Sequence, residues 1–242
     1  MHSIVDMPSQ NMGQLKDRLD RVRKEVRAAL LAAGRSEEET MIVAVSKKQP
    51  ASSIEALFKA GQKDFGENYV QDAVDKIDEL KKLGLRWHFI GQIQSNKTRI
   101  IAECFHWVHT VDRIKIAARL NEQRPAHAPP LKVCIQVNQS REPQKGGVDE
   151  SKISDLAHAV MEMPALKLRG LMTMPLLSSK IKDTASFFEH LRVLKQRLAE
   201  EGVSLDTLSM GMSADMNLAI AHGATIVRIG TAIFGPRGKT EV

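Results

Sequence analysis

Lys47 is the residue with the most distinctive chemistry. It closes the run MIVAVSK (41–47), directly after Ser46 and the four apolar residues Ile42 to Val45. If that run fills a buried strand, the amine emerges at the strand's end, partly desolvated, where a lysine pKa falls. An unperturbed lysine is only about one part in 2,500 free amine at pH 7. A desolvated one attacks a carbonyl carbon and forms a Schiff base. The plainer alternative is a strand-end lysine that reaches solvent. Lys48 competes for the role, but the period-two alternation of a strand sends neighbouring side chains in opposite directions.

A second group of residues lies at the far end of the chain. TLSMGMS (207–213) ends in Ser213, placed to cap a helix over 214–222. TIVRIGTAIFG (225–235) carries Gly230 and Thr231, where small residues leave backbone N–H groups open to an anion. Read together they form a phosphate cradle; read singly, Ser213 is a cap and Gly230 a packing glycine. A nucleophilic lysine opposite a phosphate cradle suits a phosphorylated aldehyde. Arg228 stands two residues before Gly230 in an apolar strand, and a buried arginine is rare unless paired. It can pair with Asp112 or Glu67, or donate to a ring nitrogen of a ligand and keep that nitrogen unprotonated.

Other groups carry less. His106 and His109 are three apart in a strand, face opposite sides and make a poor metal pair. His88 fits a satisfied core histidine. Met210, Met212 and Met216 fit core filler. No local grouping of serine, histidine and acid marks a hydrolase.

The elements that must hold these residues follow from periodicity. Eight short apolar runs begin with 41–47 and 62–68 and continue through 86–91, 104–112, 131–138 and 166–174 to 207–213 and 225–235. Helical patterns near 51–60, 69–83, 95–103, 113–123, 150–162, 183–201 and 214–222 separate them, and an amphipathic helix over 9–33 precedes them. Ser52 or Ser53 can cap the first of these helices, and Gly34, Gly61 and Gly223 mark ends. Strands alternating with helices imply a parallel sheet. Eight units in about 200 residues fit a single α/β domain, a (β/α)₈ TIM barrel with an extra N-terminal helix. An open doubly wound sheet would usually carry a glycine-rich phosphate turn after its first strand, where this chain has VSKKQPASS. In a barrel the site forms at the C-terminal strand ends, and phosphate sites are often built after strands seven and eight.

Composition agrees. The 242 residues are 43% hydrophobic and 26% charged, which excludes a disordered chain and a membrane bundle. Aromatics are 4%, too few for a base-stacking surface. The net charge of +6 suits a small anionic ligand and is weak support for a nucleic-acid partner, because acids are interleaved as in KDRLDR (16–21). Cys104 and Cys134 lie in apolar runs without metal spacing and fit reduced buried thiols. No targeting segment is visible at the N-terminus, and a cytoplasmic location is expected.

AVSKKQP, FGENYVQD, WHFIGQIQSNK, LRGLMTM, LSMGMSADM and VRIGTAIFG, in this order across about 41–236, resemble the pyridoxal phosphate homeostasis proteins. The resemblance implies one domain over 1–242, a barrel of the alanine racemase N-terminal type (fold type III) with residues 1–40 as a helical extension packed on it. It implies pyridoxal 5′-phosphate bound covalently to Lys47. By the same comparison Ser213, Gly230 and Thr231 hold the phosphate, Arg228 faces the pyridine nitrogen, and Asn68, His88 and Met172 line the pocket. Lys145 matches a lysine usual in the family, whereas Gln49 replaces a second lysine found in other members. The resemblance also implies a carrier and regulator of intracellular pyridoxal 5′-phosphate without substantial turnover, monomeric, with cofactor-dependent acceptor enzymes as partners, no metal, no nucleic acid and no membrane.

The rival reading is an amino-acid racemase of the alanine racemase type. Racemisation needs acid and base groups on both faces of the bound substrate, and alanine racemase supplies a tyrosine from a C-terminal β-domain. This sequence has one tyrosine, Tyr69, after strand two, and ends shortly after strand eight. An arginine at the ring nitrogen also weakens the ring as an electron sink.

Overall fold

A computed structural model of the chain describes residues 9–139, 146–174 and 181–236; Lys145 lies outside them. The strands are β1 (Met41–Val45), β2 (Asp64–Glu67), β3 (Arg86–Phe89) and β4 (Trp107–Val111), then β5 (Leu131–Gln136), β6 (Leu166–Met172), β7 (Thr207–Ser209) and β8 (Ile226–Ile229). They pair in parallel, each with its sequence neighbours, and β8 closes on β1 with Val43 opposite Arg228. The expected (β/α)₈ TIM barrel is therefore the fold. Each strand sits inside its predicted run, because a parallel strand covered on both faces must be apolar almost throughout.

The helices are α1 (Ser9–Ala32), α2 (Ala51–Lys59), α3 (Val70–Glu79), α4 (Thr98–Cys104), α5 (Ile114–Gln123), α6 (Ile153–Met161), α7 (Ile181–Glu200), α8 (Met216–Ala221) and the short α9 (Thr231–Phe234). Helix α1 buries Leu15, Leu19, Val22, Val26 and Leu30, a stripe at three- and four-residue spacing. That stripe joins the same apolar core as the barrel helices, with α1 packed on α2, α8 and α9. Helices α1, α2 and α8 each end two residues before the predicted stops, Gly34, Gly61 and Gly223.

Both predicted serine caps are corrected. Pro50 precedes α2, so Ser52 and Ser53 lie within its first turn. A proline with extended backbone is already set for a helix start and needs no side-chain cap. Helix α8 begins after Asp215, whose Oδ1 accepts from the Met212 N–H at 2.6 Å, and Ser213 serves a different helix.

The main core lies between strands and helices. A second, smaller apolar cluster of Val43, Trp107, Cys134, Met172 and Ile226 lies apart from it. No helix among the described residues is long and apolar enough to cross a membrane. Among the same residues no group of three or more His, Cys, Asp or Glu is placed to hold a metal ion. Burial pushes the Cys134 thiol up to about 12, as expected of an inert core cysteine.

Candidate cofactor site at the C-terminal strand ends

Four neighbouring strands, β7, β8, β1 and β2, carry six of the predicted residues, Lys47, Asn68, Ser213, Arg228, Gly230 and Thr231, on or just beyond them. Beyond β1, Ser46 continues the ladder by donating its N–H to Gly66 O at 2.9 Å. Lys47 and Lys48 then occupy the centre of a turn closed by the Gln49 N–H on Ser46 O at 3.0 Å. Lys47 is half-buried and in phase with Val43 and Val45; Lys48 is exposed. Lys48 has φ of 61°, the one non-glycine residue with positive φ among those described. Such a conformation costs a side-chain-bearing residue about 1–2 kcal/mol. Strain of this kind is held where the surroundings fix a particular geometry, here that of the predicted nucleophile's turn.

A buried ion pair supports that turn. Glu67, at the end of β2, is fully enclosed, and its Oε1 accepts from Lys76 Nζ at 2.8 Å and from Ser46 Oγ at 2.6 Å. Lys76 Nζ also donates to Ser46 O at 2.9 Å. The hydroxyl and the carbonyl of the residue before Lys47 are thus tied to one pair. Burial raises the Glu67 carboxyl above the usual range, opposed by Lys76. Glu67 Oε2 has no partner among the described residues.

Asn68 continues β2 into the mouth. Its Oδ1 is buried and unpartnered, a costly state unless a ligand or water completes it. The Asn68 backbone packs so closely on Gly91 that no Cβ fits there. At the end of β7, Gly211 has φ of +95°, and a Cβ would come 2.6 Å from that of Ala219. The chain then reaches Ser213, whose Oγ accepts from the Ala232 N–H at 3.2 Å. Ser213 therefore stands at the first turn of α9, beside Gly230 and Thr231. Hydroxyls and N–H groups converge there in the exposed setting an anion needs.

Arg228 is buried, and neither predicted acid partner is used. Its Nη1 donates to Ser209 Oγ at 2.7 Å and its Nη2 to Thr173 O at 2.9 Å. Glu67 is taken by Lys76, and Asp112 by Arg113 at 2.7 Å. Burial pushes the guanidinium down to about 10, which still leaves it charged at neutral pH. A buried cation held by neutral oxygens is suited to donate to an uncharged acceptor.

His88 and Met172 are fully enclosed by protein. His88 uses both ring nitrogens: Nδ1 lies 3.0 Å from His109 Nε2 and Nε2 lies 3.0 Å from Asp64 Oδ1. It also stacks on Trp107 at 5.6 Å. The satisfied core histidine is the reading that fits. Sequence reasoning missed the Glu67–Lys76 pair, for which the signal was an isolated acid at a strand end.

Burial lowers both imidazoles below 6.5, His109 well below. Burial disfavours the charged form of each ring, so the unfolded chain takes up protons first: stability is complete above pH 6.5 and is lost as pH falls through the window beneath it. Each histidine adds a slope of up to about 1.4 kcal/mol per pH unit. The urea midpoint is expected to be lower at pH 5.5 than at pH 7.5, with an equal midpoint at both excluding neutral burial.

A closed parallel barrel of eight strands, with a lysine in the turn after the first, fits the alanine racemase N-terminal class. The family profile described as "Alanine racemase, N-terminal domain" matches residues 18–238. The chain belongs to the pyridoxal phosphate homeostasis protein family. It is 50% identical over 233 residues to the "Pyridoxal phosphate homeostasis protein" of Escherichia coli K12, covering 95% of this chain and 100% of that one. It is also 50% identical over 226 residues to the protein of that name from Pseudomonas aeruginosa, covering 93% and 97%. PipY of Synechococcus elongatus, solved with PLP bound, superposes with a TM-score of 0.81 at 35% identity, covering 92% of this chain and 100% of PipY. An alanine racemase of Clostridium difficile shares the fold, with a TM-score of 0.72 at 15% identity, and this chain spans 58% of its length.

Proposed function

We propose that this protein binds pyridoxal 5′-phosphate covalently through Lys47 Nζ, as a Schiff base, and holds it as a carrier without substantial turnover. The observation that carries this is the convergence of Lys47, the unpartnered Asn68 Oδ1 and the Ser213–Gly230–Thr231 cradle on one sector of the mouth. The residues present fit the group: an amine after β1, hydroxyls and N–H groups beyond the neighbouring β8, and a buried guanidinium between neutral oxygens. When bound, pyridoxal 5′-phosphate supplies an aldehyde carbon and a conjugated ring that withdraws electrons. Ser213 Oγ, Thr231 and the first N–H groups of α9 would take the phosphate, and Asn68 would bind the ring's edge. Arg228 would donate to the ring nitrogen and keep it unprotonated, while His88 and Met172 form the floor. The chain would act as one domain over 1–242, monomeric and cytoplasmic, with acceptor enzymes that use the same cofactor as partners.

The test is Ser213→Ala, titrated with pyridoxal 5′-phosphate and with unphosphorylated pyridoxal. Affinity for the phosphorylated form should fall by about 1.5–3 kcal/mol, the scale of a hydrogen bond to a charged group, with pyridoxal hardly affected. Equal losses for both would remove the cradle from the phosphate.

The rival racemase reading needs a second acid, and the sequence holds no tyrosine besides Tyr69. Tyr69 lies exposed beside Val70 at the start of α3, and an arginine-held ring nitrogen disfavours a carbanion. Loaded protein incubated with L-alanine and other L-amino acids should show no inversion by chiral chromatography. Turnover in the ordinary enzyme range of about 1–10³ per second would make it an enzyme.

A further inference from the structure

The barrel interior holds an unbroken hydrogen-bonded chain that the cofactor site does not account for. It runs from Arg228 Nη1 to Ser209 Oγ at 2.7 Å, and from Ser209 Oγ to His109 Nδ1 at 2.7 Å. It continues from His109 Nε2 to His88 Nδ1 at 3.0 Å, and from His88 Nε2 to Asp64 Oδ1 at 3.0 Å. Five strands, β8, β7, β4, β3 and β2, each contribute one member. Asp64 is the first residue of β2, and its carboxylate is clamped by Arg86, the first residue of β3, with Nε at 2.7 Å. The chain therefore starts at the N-terminal end of the barrel, beside a cleft of about 370 Å³ lined by Arg23, Lys63, Asp64 and Arg86, and ends under the cofactor mouth.

The direction of every bond is forced. A guanidinium only donates, so Ser209 Oγ accepts from Arg228, and its second lone pair and its proton leave it able to accept from His109 Nδ1 or donate to it. The Asp64 end decides: an ionised carboxylate only accepts, so a neutral His88 carries its proton on Nε2 and its Nδ1 accepts from His109, whose bare Nδ1 then accepts from Ser209 Oγ–H. The opposite polarity would set a bare imidazole nitrogen against a carboxylate oxygen at 3.0 Å, acceptor facing acceptor. A charged imidazole is opposed by its surroundings: Lys132 Nζ and the Arg169 guanidinium lie over Trp107, on which His88 stacks, and Arg228 stands at the upper end. Burial acts in the same sense on both rings.

We propose that Asp64, His88, His109 and Ser209 form a one-way relay that positions Arg228, with the Asp64 carboxylate setting the tautomer of both histidines. The relay deepens the proposed function, since it rests on Arg228 facing the ring nitrogen. It fixes Nη1 toward Ser209, while Thr173 O fixes Nη2, so the guanidinium presents one defined edge to a ligand. No proton leaves its atom; the relay acts through orientation alone. These four are positioning residues, since each acts on the ligand through Arg228.

Long-range ¹H–¹⁵N spectra of histidine-labelled full chain, free of cofactor, test the relay independently of the function. His88 and His109 should both be neutral with the proton on Nε2. Asp64→Leu removes the acceptor altogether, and the Nδ1–H tautomer should then appear at His88 and also at His109, which residue 64 does not touch. In the same variant the affinity for pyridoxal 5′-phosphate should fall by about 2- to 30-fold, the range of coupling through a packed network. The visible maximum of the bound cofactor should also shift, a change that loss of stability alone would not produce. A wild-type spectrum with Nδ1–H or imidazolium at either ring overturns the relay, and it decides the matter even if Asp64→Leu fails to fold. An unchanged His109 in a folded variant also overturns it. Wild-type protein that takes up no pyridoxal 5′-phosphate while showing both Nε2–H tautomers would refute the function and leave the relay standing.

Discussion

Lys47→Ala protein is expected to fold normally and to remain colourless after exposure to pyridoxal 5′-phosphate. Wild-type protein should take on visible absorption that borohydride bleaches, with the label recovered on the peptide holding Lys47. The fold should survive because Lys47 follows β1 and is half-buried, outside the apolar clusters. Truncation there should change stability by less than about 1 kcal/mol, as at positions away from core packing and caps. The covalent yield, in contrast, should fall to background, because no other residue can replace the amine at that point. Lys48 is the neighbouring lysine in the sequence, and its positive φ and exposure direct it away from the phase of Val43 and Val45, while Lys76 is engaged by Glu67 and Ser46. A borohydride label on Lys48 with Lys47 clean would mean that the turn after β1 is read in the wrong phase.

The barrel was legible because a parallel strand covered on both faces writes its own apolar run, and eight such runs alternate with helical periods. The mouth residues were legible for a related reason. Lys47, Asn68, Gly230 and Thr231 stand within two residues of a strand end and Ser213 four residues beyond β7, so locating a strand locates them approximately. Helix starts were not. Pro50 and Asp215 hold those positions through backbone geometry and a local turn, which a search for serine caps overlooks. The partners of Arg228 were hidden for a different reason. Ser209 is 19 residues away and Thr173 is 55, and they meet Arg228 only when the barrel closes. His109 and Ser209 are 100 residues apart, and no local pattern relates them. Interior polar contacts depend on the register between strands, and a side chain's strand position alone does not reveal which neighbour it faces.

Lys76→Met is expected to be the most damaging single change outside the core, lowering stability by about 3–5 kcal/mol in urea unfolding at pH 7.5, the cost of stranding one partner of a buried ion pair. The pair has little to spare. Glu67 Oε2 already lacks a partner, and Oε1 relies on Lys76 and Ser46. Without the ammonium, the enclosed carboxylate is left with one hydroxyl for solvation. Its pKa, raised by burial even with Lys76 present, should rise further until the group takes up a proton. That gives the defect a sign with pH. A folded-state carboxyl raised above its unfolded value of 4.5 costs stability above that value and regains it as pH falls, so the Lys76→Met penalty should shrink between pH 7.5 and pH 5.5. Glu67→Gln combined with Lys76→Met should recover much of the loss, since a neutral amide can accept from Ser46 without an ion to desolvate. The damage should also reach the cofactor site. Lys76 Nζ holds Ser46 O, and Ser46 O closes the turn that carries Lys47. Folded Lys76→Met protein should therefore bind pyridoxal 5′-phosphate more weakly, and the double variant should not recover this in full, because methionine donates nothing to Ser46 O. A penalty that stays constant from pH 7.5 to 5.5 would show that Glu67 is not left as a buried anion, and full recovery of binding in the double variant would show that Lys76 does not steady the Lys47 turn.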